Sequence, residues 1–396
     1  MKILITSNHG NTFNPKGGAD ARKHNLIKEL AKYNKVTLLE SDRYIDDLNK
    51  KISGINVDYY KEYFFFNNPL SPFTDLNPSF ISKIYSIISS EKIDLIQVSS
   101  YPGGIVAIKL LIKLTRKKII LVYDAHNVEG DLIKNILLDD INILLKYFLY
   151  FYVQILERIA VQIVDHIIAV SSNDKDIFLK KYGINSNKVS VIPSGTTIRN
   201  MTNKTDKTIA RKKLGIDKEK KVILFHGTYS YSPNKQAVKL IYEYIAPSIK
   251  KKFEDTIFII AGSGTPKIKN ENVLSLGFVD DLQVLLQVAD IAIVPILAGG
   301  GTRLKILDYL SLGLPVISTE KGIEGICAEN DKSAIIVKNF DSEFNNAIES
   351  LLNSEDIRQS IGYNGYKLAK KHFNWKCIGI KLNRIYAKLI SNNYRR

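Results

Sequence analysis

The alternation of short apolar runs with longer amphipathic stretches is the feature that most constrains this fold. Runs such as KILITS (2–7) and KVTLLE (35–40) predict strands, and Gly18–Tyr33 between them has helical spacing. Strands that alternate with helices predict a parallel sheet covered on both faces. The further strands predicted in this first series are residues 93–100, 118–126, 166–172 and 188–195.

The alternation restarts further along the chain, which predicts a second α/β domain. The stretch NMTNKTDKT (200–208) is polar and lacks a hydrophobic period, as is typical of a linker. Residues 340–396 have only helical patterns. A chain of 396 residues is also too long for one ordinary core, so two domains of about 200 residues are expected. The strands predicted in the second series are residues 221–227, 256–264, 273–279, 291–297, 315–319 and 333–337.

Composition indicates a soluble globular enzyme, with 45% hydrophobic and 24% charged residues. Cys327 and Cys377 are far apart in sequence; one disulfide is possible, but a reducing, cytoplasmic compartment is the favoured interpretation, and zinc spacing is absent. The opening MKILITSNHG is too brief for a signal peptide, and no uncharged apolar run is long enough for a transmembrane helix.

The formal net charge is +16, and both halves of the chain contribute to it. Such an excess suits phosphate-bearing ligands or an anionic membrane surface, and equally a role in solubility alone. No recognisable nucleic-acid-reading module accompanies the charge, so nucleic acid is not an expected partner.

The stretch AGGGTRLKIL (298–307) predicts an anion site where a strand turns into a helix. Glycines such as Gly300 and Gly301 allow backbone N–H groups to converge on one point, and a helix start adds partial positive charge. Thr302 suits the N-cap, with Arg303 and Lys305 in the first turn. Two cations at a helix start are easier to explain beside a phosphate than alone.

Asp308 lies further along the same predicted helix and flanks its buried stripe. A carboxylate there needs hydrogen-bond donors, and two adjacent sugar hydroxyls would supply them. A diphosphate at the helix start and a ribose further along is the layout of a nucleoside diphosphate. A plain glycine turn with solvated cations is the alternative, which the coincidence of these signals at one strand end disfavours.

This stretch resembles the donor site of the family 4 nucleotide-sugar glycosyltransferases. Gly313 and residues 315–317 match the family's G-x-P-V-I sequence, and Asp308 takes the place of the glutamate that holds the ribose. The place of a preceding glutamate, which contacts the sugar, falls on Gly300. The resemblance therefore does not identify the sugar that is transferred.

The resemblance implies a GT-B fold, in which two Rossmann-like doubly wound domains face an interdomain cleft. Residues 1–199 would bind the acceptor and residues 207–375 the nucleotide sugar. Residues 376–396 would form a helix that returns to the N-terminal domain, as the similarity of HFNWKCIGIKLNRIYAKLI (372–390) to the family's closing segment indicates.

The segment DAHNVE (124–129) contains the strongest catalytic candidate, His126. A lone histidine at a strand end is more often a satisfied core residue. In the family, however, the histidine of a similar segment faces the donor sugar, so His126 is expected to stabilise the transition state by a polar contact. Asn127 and Glu129 are the candidates for contacting the acceptor.

Glycine-containing loops at other strand ends also match the family. Gly17 and Gly18 correspond to its N-terminal glycine loop, which covers the donor phosphates. The loop AGSG (261–264) and the following GFV (277–279) border the base in relatives. The donor-binding residues that these loops imply are Gly262, Ser263, Phe278 and Val279.

FHGTYSYSPNKQAV (225–238) departs from the family pattern after Gly227. Many relatives have an arginine and a lysine that clamp the diphosphate where this chain has Thr228 and Asn234. We expect Arg303 and Lys305 to supply the missing positive charge, so these two complete the catalytic set with His126.

No metal or other cofactor is expected. The D-x-D signature in NDKD (173–176) starts a predicted helix, where capping explains its acids. In GT-B donor sites, helix dipoles and basic side chains serve the diphosphate instead.

The expected activity is transfer of a hexose from a nucleotide sugar to a glycan or lipid-linked glycan, with retention. Residues 133–165 are rich in large apolar side chains; they read as core helices or as a face that docks peripherally on the inner surface of a membrane. Two other functions stay open: a nucleotide-sugar epimerase of the same fold, and a catalytically degenerate module that binds polyanions.

Overall fold

The computed structural model describes residues 1–7, 11–15, 17–43, 45, 52–62, 74–129, 143–268, 271–299, 301–338, 340 and 342–394. The chain divides into two compact units. One comprises Met1–Ser194 together with Trp375–Arg396, and the other Gly195–Asn374.

The first unit contains a seven-stranded sheet in which all strand pairs are parallel, in the order β3-β2-β1-β4-β5-β6-β7. Its strands are β1 (Lys2–Ser7), β2 (Lys35–Ser41), β3 (Ile55–Tyr60), β4 (Leu95–Ser100), β5 (Ile120–Ala125), β6 (His166–Ala169) and β7 (Val189–Val191). The helices described before residue 195 are α1 (Gly18–Ala31), α2 (Pro78–Ser90), α3 (Ile105–Leu114), α4 (Ile143–Ile163) and α5 (Ser172–Tyr182).

The central strands of this sheet are apolar along most of their length because both sheet faces are covered. In β5 every residue is buried. The polar side chains collect at the carboxyl ends of the strands, where Ser7, Ser99 and Asp124 lie. That edge is where ligands bind in open parallel sheets.

The second unit contains a six-stranded parallel sheet in the order β10-β9-β8-β11-β12-β13. Its strands are β8 (Lys221–His226), β9 (Thr256–Ala261), β10 (Val273–Gly277), β11 (Ile291–Val294), β12 (Val316–Thr319) and β13 (Ile335–Val337). Its helices are α6 (Lys204–Lys213), α7 (Ser232–Leu240), α8 (Ala246–Lys250), α9 (Leu282–Gln287), α10 (Leu304–Leu310), α11 (Ser342–Asn353) and α12 (Glu355–His372).

The last helix, α13 (Trp375–Tyr394), packs against α1 and so belongs to the first unit. Its buried face contributes Trp375, Leu382 and Tyr386 to the same core as the apolar residues of β1 and β2. A continuous chain therefore leaves the first unit, forms the whole second unit, and comes back.

One expectation about the chain's organisation was wrong, and one strand was not predicted. The stretch 200–208 is no unstructured linker, because α6 begins inside it at Lys204. Asn203 and Asp206 form a reciprocal capping box there, a helix signal that the polar composition masked. The sequence analysis also missed β3, an edge strand whose polar residues, such as Asp58, interrupt the apolar run.

Candidate active site

The loops that follow β8 and β9 are joined backbone to backbone at the carboxyl edge of the second sheet. The Gly227 N–H donates to the Ala261 carbonyl at 2.9 Å, and the Tyr229 N–H donates to the Ser263 carbonyl at 2.9 Å. Both predicted donor-binding loops therefore lie side by side within this unit.

The close approach of these loops requires glycine at position 262. Gly262 has φ +143°, and a Cβ built on it would lie 2.0 Å from the carbonyl oxygen of Gly227. Gly227 itself has φ +158°, and its Cβ would lie 2.6 Å from Nζ of Lys305. The two glycines thus allow the loops to meet and bring the Lys305 ammonium against the backbone.

Lys305 lies half-buried at this meeting point. Its Nζ donates to Oδ1 of Asn234 at 2.7 Å and sits 4.0 Å from the ring centroid of Phe225. Asn234 in turn donates to the Thr228 carbonyl at 2.8 Å. Lys305 therefore places its charge beside the side chain that stands where relatives have a lysine.

Burial, and then the charge of Arg303, hold the pKa of Lys305 well below its usual value. Among the described residues, Lys305 forms no ion pair with an acidic side chain, and its hydrogen-bond acceptor is the neutral amide of Asn234. A cation that is desolvated without a nearby counter-charge is stabilised by a bound anion.

Arg303 is buried and braces the glycine bend before α10. Its Nη1 donates to the Gly301 carbonyl, and its Nη2 donates to the Ala298 carbonyl at 3.2 Å. Burial lowers the pKa of Arg303, and Tyr231 and Glu324 oppose that shift. The guanidinium thus stabilises the loop itself. Gly300 falls outside the described residues.

The prediction that Thr302 caps the following helix was wrong. The helix begins at Leu304, and the N-cap is Arg303, whose extended backbone (φ −81°, ψ 96°) puts the first turn after it. The Arg303 carbonyl accepts the first helical hydrogen bond, from the Ile306 N–H at 3.0 Å. The Thr302 hydroxyl is buried with no hydrogen-bond partner among the described residues.

Asp308 is half-buried on α10, one turn beyond Lys305. Its Oδ1 accepts a hydrogen bond from the Thr196 hydroxyl at 2.8 Å. Burial raises the pKa of Asp308 to about 6, against the opposing effects of Thr196 and Arg199. The side chain is therefore ionised at neutral pH and protonated in mild acid.

The sequence analysis missed His226, the last residue of β8. Its backbone N–H and its ring Nδ1 both lie within hydrogen-bond distance of the Tyr309 hydroxyl, at 3.0 and 2.9 Å. Burial and the charge of Lys305 lower the pKa of His226 to about 3, so the ring is neutral. This contact holds α10 against the end of β8. In the sequence, the only sign of this residue's role was a histidine between an apolar run and a glycine.

Residues predicted to border the base lie beyond the ends of β9 and β10. Phe278 is 71% exposed, while its neighbour Val279 packs partly against the core. Ser263 is exposed as well. An aromatic ring left in solvent at this edge offers a face on which a planar base can stack.

In the first unit, His126 directly follows β5 and is buried. Its Nε2 lies 3.3 Å from Oδ2 of Asp124, whose Oδ1 accepts from Nη2 of Arg22 at 2.8 Å. Burial would raise the pKa of Asp124, but Arg22 and His126 overcome this and lower it. Burial lowers the pKa of His126, so a neutral imidazole faces an ionised carboxylate.

Glu129 also lies at this edge, close to a second buried acid that sequence reasoning missed. The Glu129 N–H donates to Oε1 of Glu157 at 2.9 Å, and the Tyr182 hydroxyl donates to its Oε2. Burial and the charge of Glu157 raise the pKa of Glu129 to about 8, while Asn127 opposes the shift. Glu129 therefore carries a proton at neutral pH.

Gly17 is the N-cap of α1 and Gly18 its first residue. Among the described residues, a Cβ on Gly17 would meet no atom within 4 Å, and its φ of −140° is open to any residue. The structure thus shows no packing reason for glycine at position 17.

The first acid of the D-x-D signature, Asp174, belongs to a helix cap. Ser171 is the N-cap of α5 and accepts from the Asp174 N–H at 3.1 Å. Within the described ranges, no group of three or more His, Cys, Asp or Glu side chains is placed to hold a metal ion.

The fold matches solved structures of other proteins. The chain aligns with Anabaena HepE in complex with UDP and glucose at a TM-score of 0.72 and 18% identity, covering 98% of this chain and 100% of that one. With sucrose-phosphate synthase from Thermosynechococcus elongatus the TM-score is 0.76 at 16% identity, covering 99% of each chain. The predicted GT-B fold of two Rossmann-like domains is confirmed.

Two family profiles match successive parts of the sequence. Glycosyltransferase Family 4 covers residues 16–199, and Glycosyl transferases group 1 covers residues 220–354. UDP-Gal:alpha-D-GlcNAc-diphosphoundecaprenol alpha-1,3-galactosyltransferase of Escherichia coli is 24% identical over 308 residues, which are 73% of this chain and 75% of that protein.

Fold and sequence together define a nucleotide-sugar glycosyltransferase of the GT-B class. The chain belongs to glycosyltransferase family 4, as the resemblance of its α10 region had predicted.

Proposed function

We propose that this enzyme transfers a hexose from a nucleoside-diphosphate sugar to a glycan or lipid-linked glycan, with retention of anomeric configuration. One observation carries the proposal: the half-buried Lys305 ammonium has no acidic partner among the described residues and shares a short helix with Asp308. A diphosphate would supply the missing negative charge, and a ribose would supply hydroxyl donors to the carboxylate.

The chemistry follows from where charge develops. When the bond between the anomeric carbon and the diphosphate breaks, negative charge grows on the diphosphate oxygens. A fixed ammonium there stabilises the transition state, in which this charge is developing, more than it stabilises the ground state. Lys305 has that role, Arg303 holds the loop that binds the phosphates, and Phe278 stacks on the base. No metal or cofactor takes part in this proposal.

The first unit, Met1–Ser194 with Trp375–Arg396, would bind the acceptor. His126 would accept a hydrogen bond from a hydroxyl of the donor sugar. Asn127 and Glu129 would contact the acceptor, and Glu129, which is protonated at neutral pH, would donate a hydrogen bond rather than act as a base. Retention is what membership of the family implies.

The names of relatives suggest the substrates to test first. HepE is described in complex with UDP and with UDP-glucose, and the Escherichia coli relative uses UDP-Gal and a lipid-linked acceptor. UDP hexoses are therefore the first donors, and a diphosphate-linked polyprenyl sugar the first acceptor.

Nucleotide binding and transfer test the proposal in two stages. We expect one nucleoside diphosphate of a UDP, GDP, ADP and dTDP panel to raise the melting temperature, and the matching sugar nucleotide to support transfer. Asp308→Asn should weaken binding of that nucleotide about tenfold, because it removes a hydrogen bond to a charged group, which contributes about 1.5 kcal/mol. The nucleotide affinity of the wild type should fall as pH drops below about 6, where Asp308 takes up a proton. The affinity of Asp308→Asn should not show this fall, because asparagine does not titrate.

The outcomes separate the alternatives. Stabilisation by no nucleotide, with binding of heparin or another polyanion, would leave a polyanion-binding module. Conversion of the sugar nucleotide to a free product without any acceptor would point to an epimerase. Transfer with inverted configuration would contradict retention alone.

We also propose that the enzyme works at the inner face of the membrane through α4. Along one side of this helix, five apolar side chains are 43–60% exposed: Tyr147, Phe148, Phe151, Ile155 and Ile159. Among the helices described, none is long and apolar enough to cross a bilayer. An exposed apolar stripe on a protein with net charge +16 suits the surface of an anionic membrane. Residues 133–142, predicted to share this role, lie outside the described residues.

Vesicle flotation tests the membrane contact. The double variant Phe151→Glu, Ile155→Glu should lose at least tenfold in binding to vesicles containing phosphatidylglycerol, because two inserted side chains contribute about 2–3 kcal/mol each. Tyr85→Glu, which changes an exposed aromatic residue of α2, is the matched control and should bind like wild type. Equal flotation of all three proteins would show that α4 is not the contact.

A further inference from the structure

A chain of buried hydrogen bonds connects the last helix of the protein to His126. The Tyr386 hydroxyl on α13 donates to Oε1 of Gln97 at 2.8 Å. Nε2 of Gln97 donates to Oδ2 of Asp124 at 3.2 Å, and the same oxygen lies 3.3 Å from Nε2 of His126. All four residues are buried, so water does not compete for these bonds.

The surroundings of Gln97 determine the direction of this chain. Its Nε2 also donates to the Ser99 hydroxyl at 2.8 Å, so both amide hydrogens have acceptors. A flipped amide would turn its carbonyl oxygen toward the carboxylate of Asp124, which is repulsive. Tyr386 must therefore be the donor to Gln97, and its hydroxyl is the group that holds the amide in this orientation.

Asp124, which Gln97 holds in place, determines which ring nitrogen of His126 carries the proton. Because Arg22 forms an ion pair with its other oxygen at 2.8 Å, Asp124 is a carboxylate and can only accept from His126. The proton of the neutral ring then sits on Nε2, and Nδ1 has the lone pair. Nδ1 is buried and has no hydrogen-bond partner among the described residues, so it is available to a hydroxyl.

We propose that Tyr386 and Gln97 are positioning residues, which act through Asp124 to fix the tautomer and ring orientation of His126. The consequence for catalysis rests on the proposed function, in which Nδ1 accepts a hydrogen bond from the donor sugar. The returning helix α13 then does more than pack against the first unit, because its one buried hydroxyl helps to fix the tautomer and ring orientation of His126.

Tyr386→Phe removes one oxygen atom and keeps the ring, so it tests the coupling with little change in packing. Tyr394→Phe is the matched control, since that hydroxyl is on the same helix but makes a solvent-exposed hydrogen bond, to Asp94 at 3.2 Å. In ¹⁵N-histidine-labelled protein, with the His126 signals assigned by His126→Gln, wild type should show the Nε2–H tautomer. Tyr386→Phe should show a mixture of tautomers and lower kcat by about three- to tenfold at unchanged donor KM, in the range of a lost hydrogen bond.

Gln97→Leu is the second variant and should change the His126 spectrum in the same way. Wild-type His126 signals and wild-type kcat in both variants would overturn the inference. The spectrum requires no substrate, so the two proposals fail separately. Absence of transfer with every donor would reject the proposed function, whereas transfer with an undisturbed tautomer would reject the role of Tyr386.

Discussion

Replacing Lys305 by methionine is expected to lower kcat for sugar transfer by about 10²–10³-fold, the range for removal of one group that stabilises developing negative charge. Methionine keeps the unbranched stem beside Phe225 and loses only the ammonium. The nucleotide should also bind more weakly. The unliganded protein should become more stable by about 1 kcal/mol, because a desolvated cation has been removed. Steady-state transfer at saturating donor and chemical denaturation measure the two effects.

This opposition between stability and activity is what distinguishes a ligand-binding cation from a structural one. Lys239→Met is the matched control, since Lys239 lies on the exposed face of α7 with Glu243 at 3.8 Å. It should change neither quantity. If Lys305→Met retained wild-type kcat, the diphosphate would have to be bound elsewhere; if it unfolded the protein, Lys305 would be a structural residue.

Replacing Gly262 by alanine is expected to lower the free energy of unfolding by about 2–5 kcal/mol. A left-handed backbone costs about 1–2 kcal/mol for an L-residue, and overpacking adds about 1–3 kcal/mol. The overlap here is with backbone, the carbonyl oxygen of Gly227, so side-chain rotation cannot relieve it. Separation of the two loops should also displace Lys305 and weaken the nucleotide. Urea denaturation and nucleotide titration measure these losses.

Gly183→Ala separates strain from overlap. Gly183 ends α5 with φ +63°, and its Cβ would meet no atom of the described part of the chain within 4 Å. Only the strain applies there, so we expect a loss of about 1 kcal/mol. Equal losses in the two variants would mean that the close approach of the loops contributes nothing.

The buried acids of the first unit show a type of information that sequence patterns lack. Glu129 could be singled out because it follows His126 in one segment. Glu157, which raises the pKa of Glu129, comes 28 positions later on α4 and looks like an ordinary helix residue. The protonation state of Glu129, and hence its role as a donor, depends on that pairing through space.

Local signals failed where neighbours compete. Thr302 has the side chain of a good N-cap, yet the helix starts after Arg303, whose guanidinium binds the carbonyls of the glycine bend. The sequence contains the capping-box residues Asn203 and Asp206, but polar residues such as these are equally typical of a linker. Side-chain preference alone does not decide between two conformations of similar energy.

The sequence by itself determined the two parallel sheets, the glycine bend before α10 and the family, because hydrophobic period and short motifs are properties of consecutive residues. Only the tertiary structure decided which groups meet. Lys305 reaches Asn234 across 71 positions, and Tyr386 reaches Gln97 across 289. Such contacts depend on how strands and helices pack in three dimensions. Burial, which no linear pattern encodes, lowers the pKa of Lys305 and of His126 and raises the pKa of Asp308.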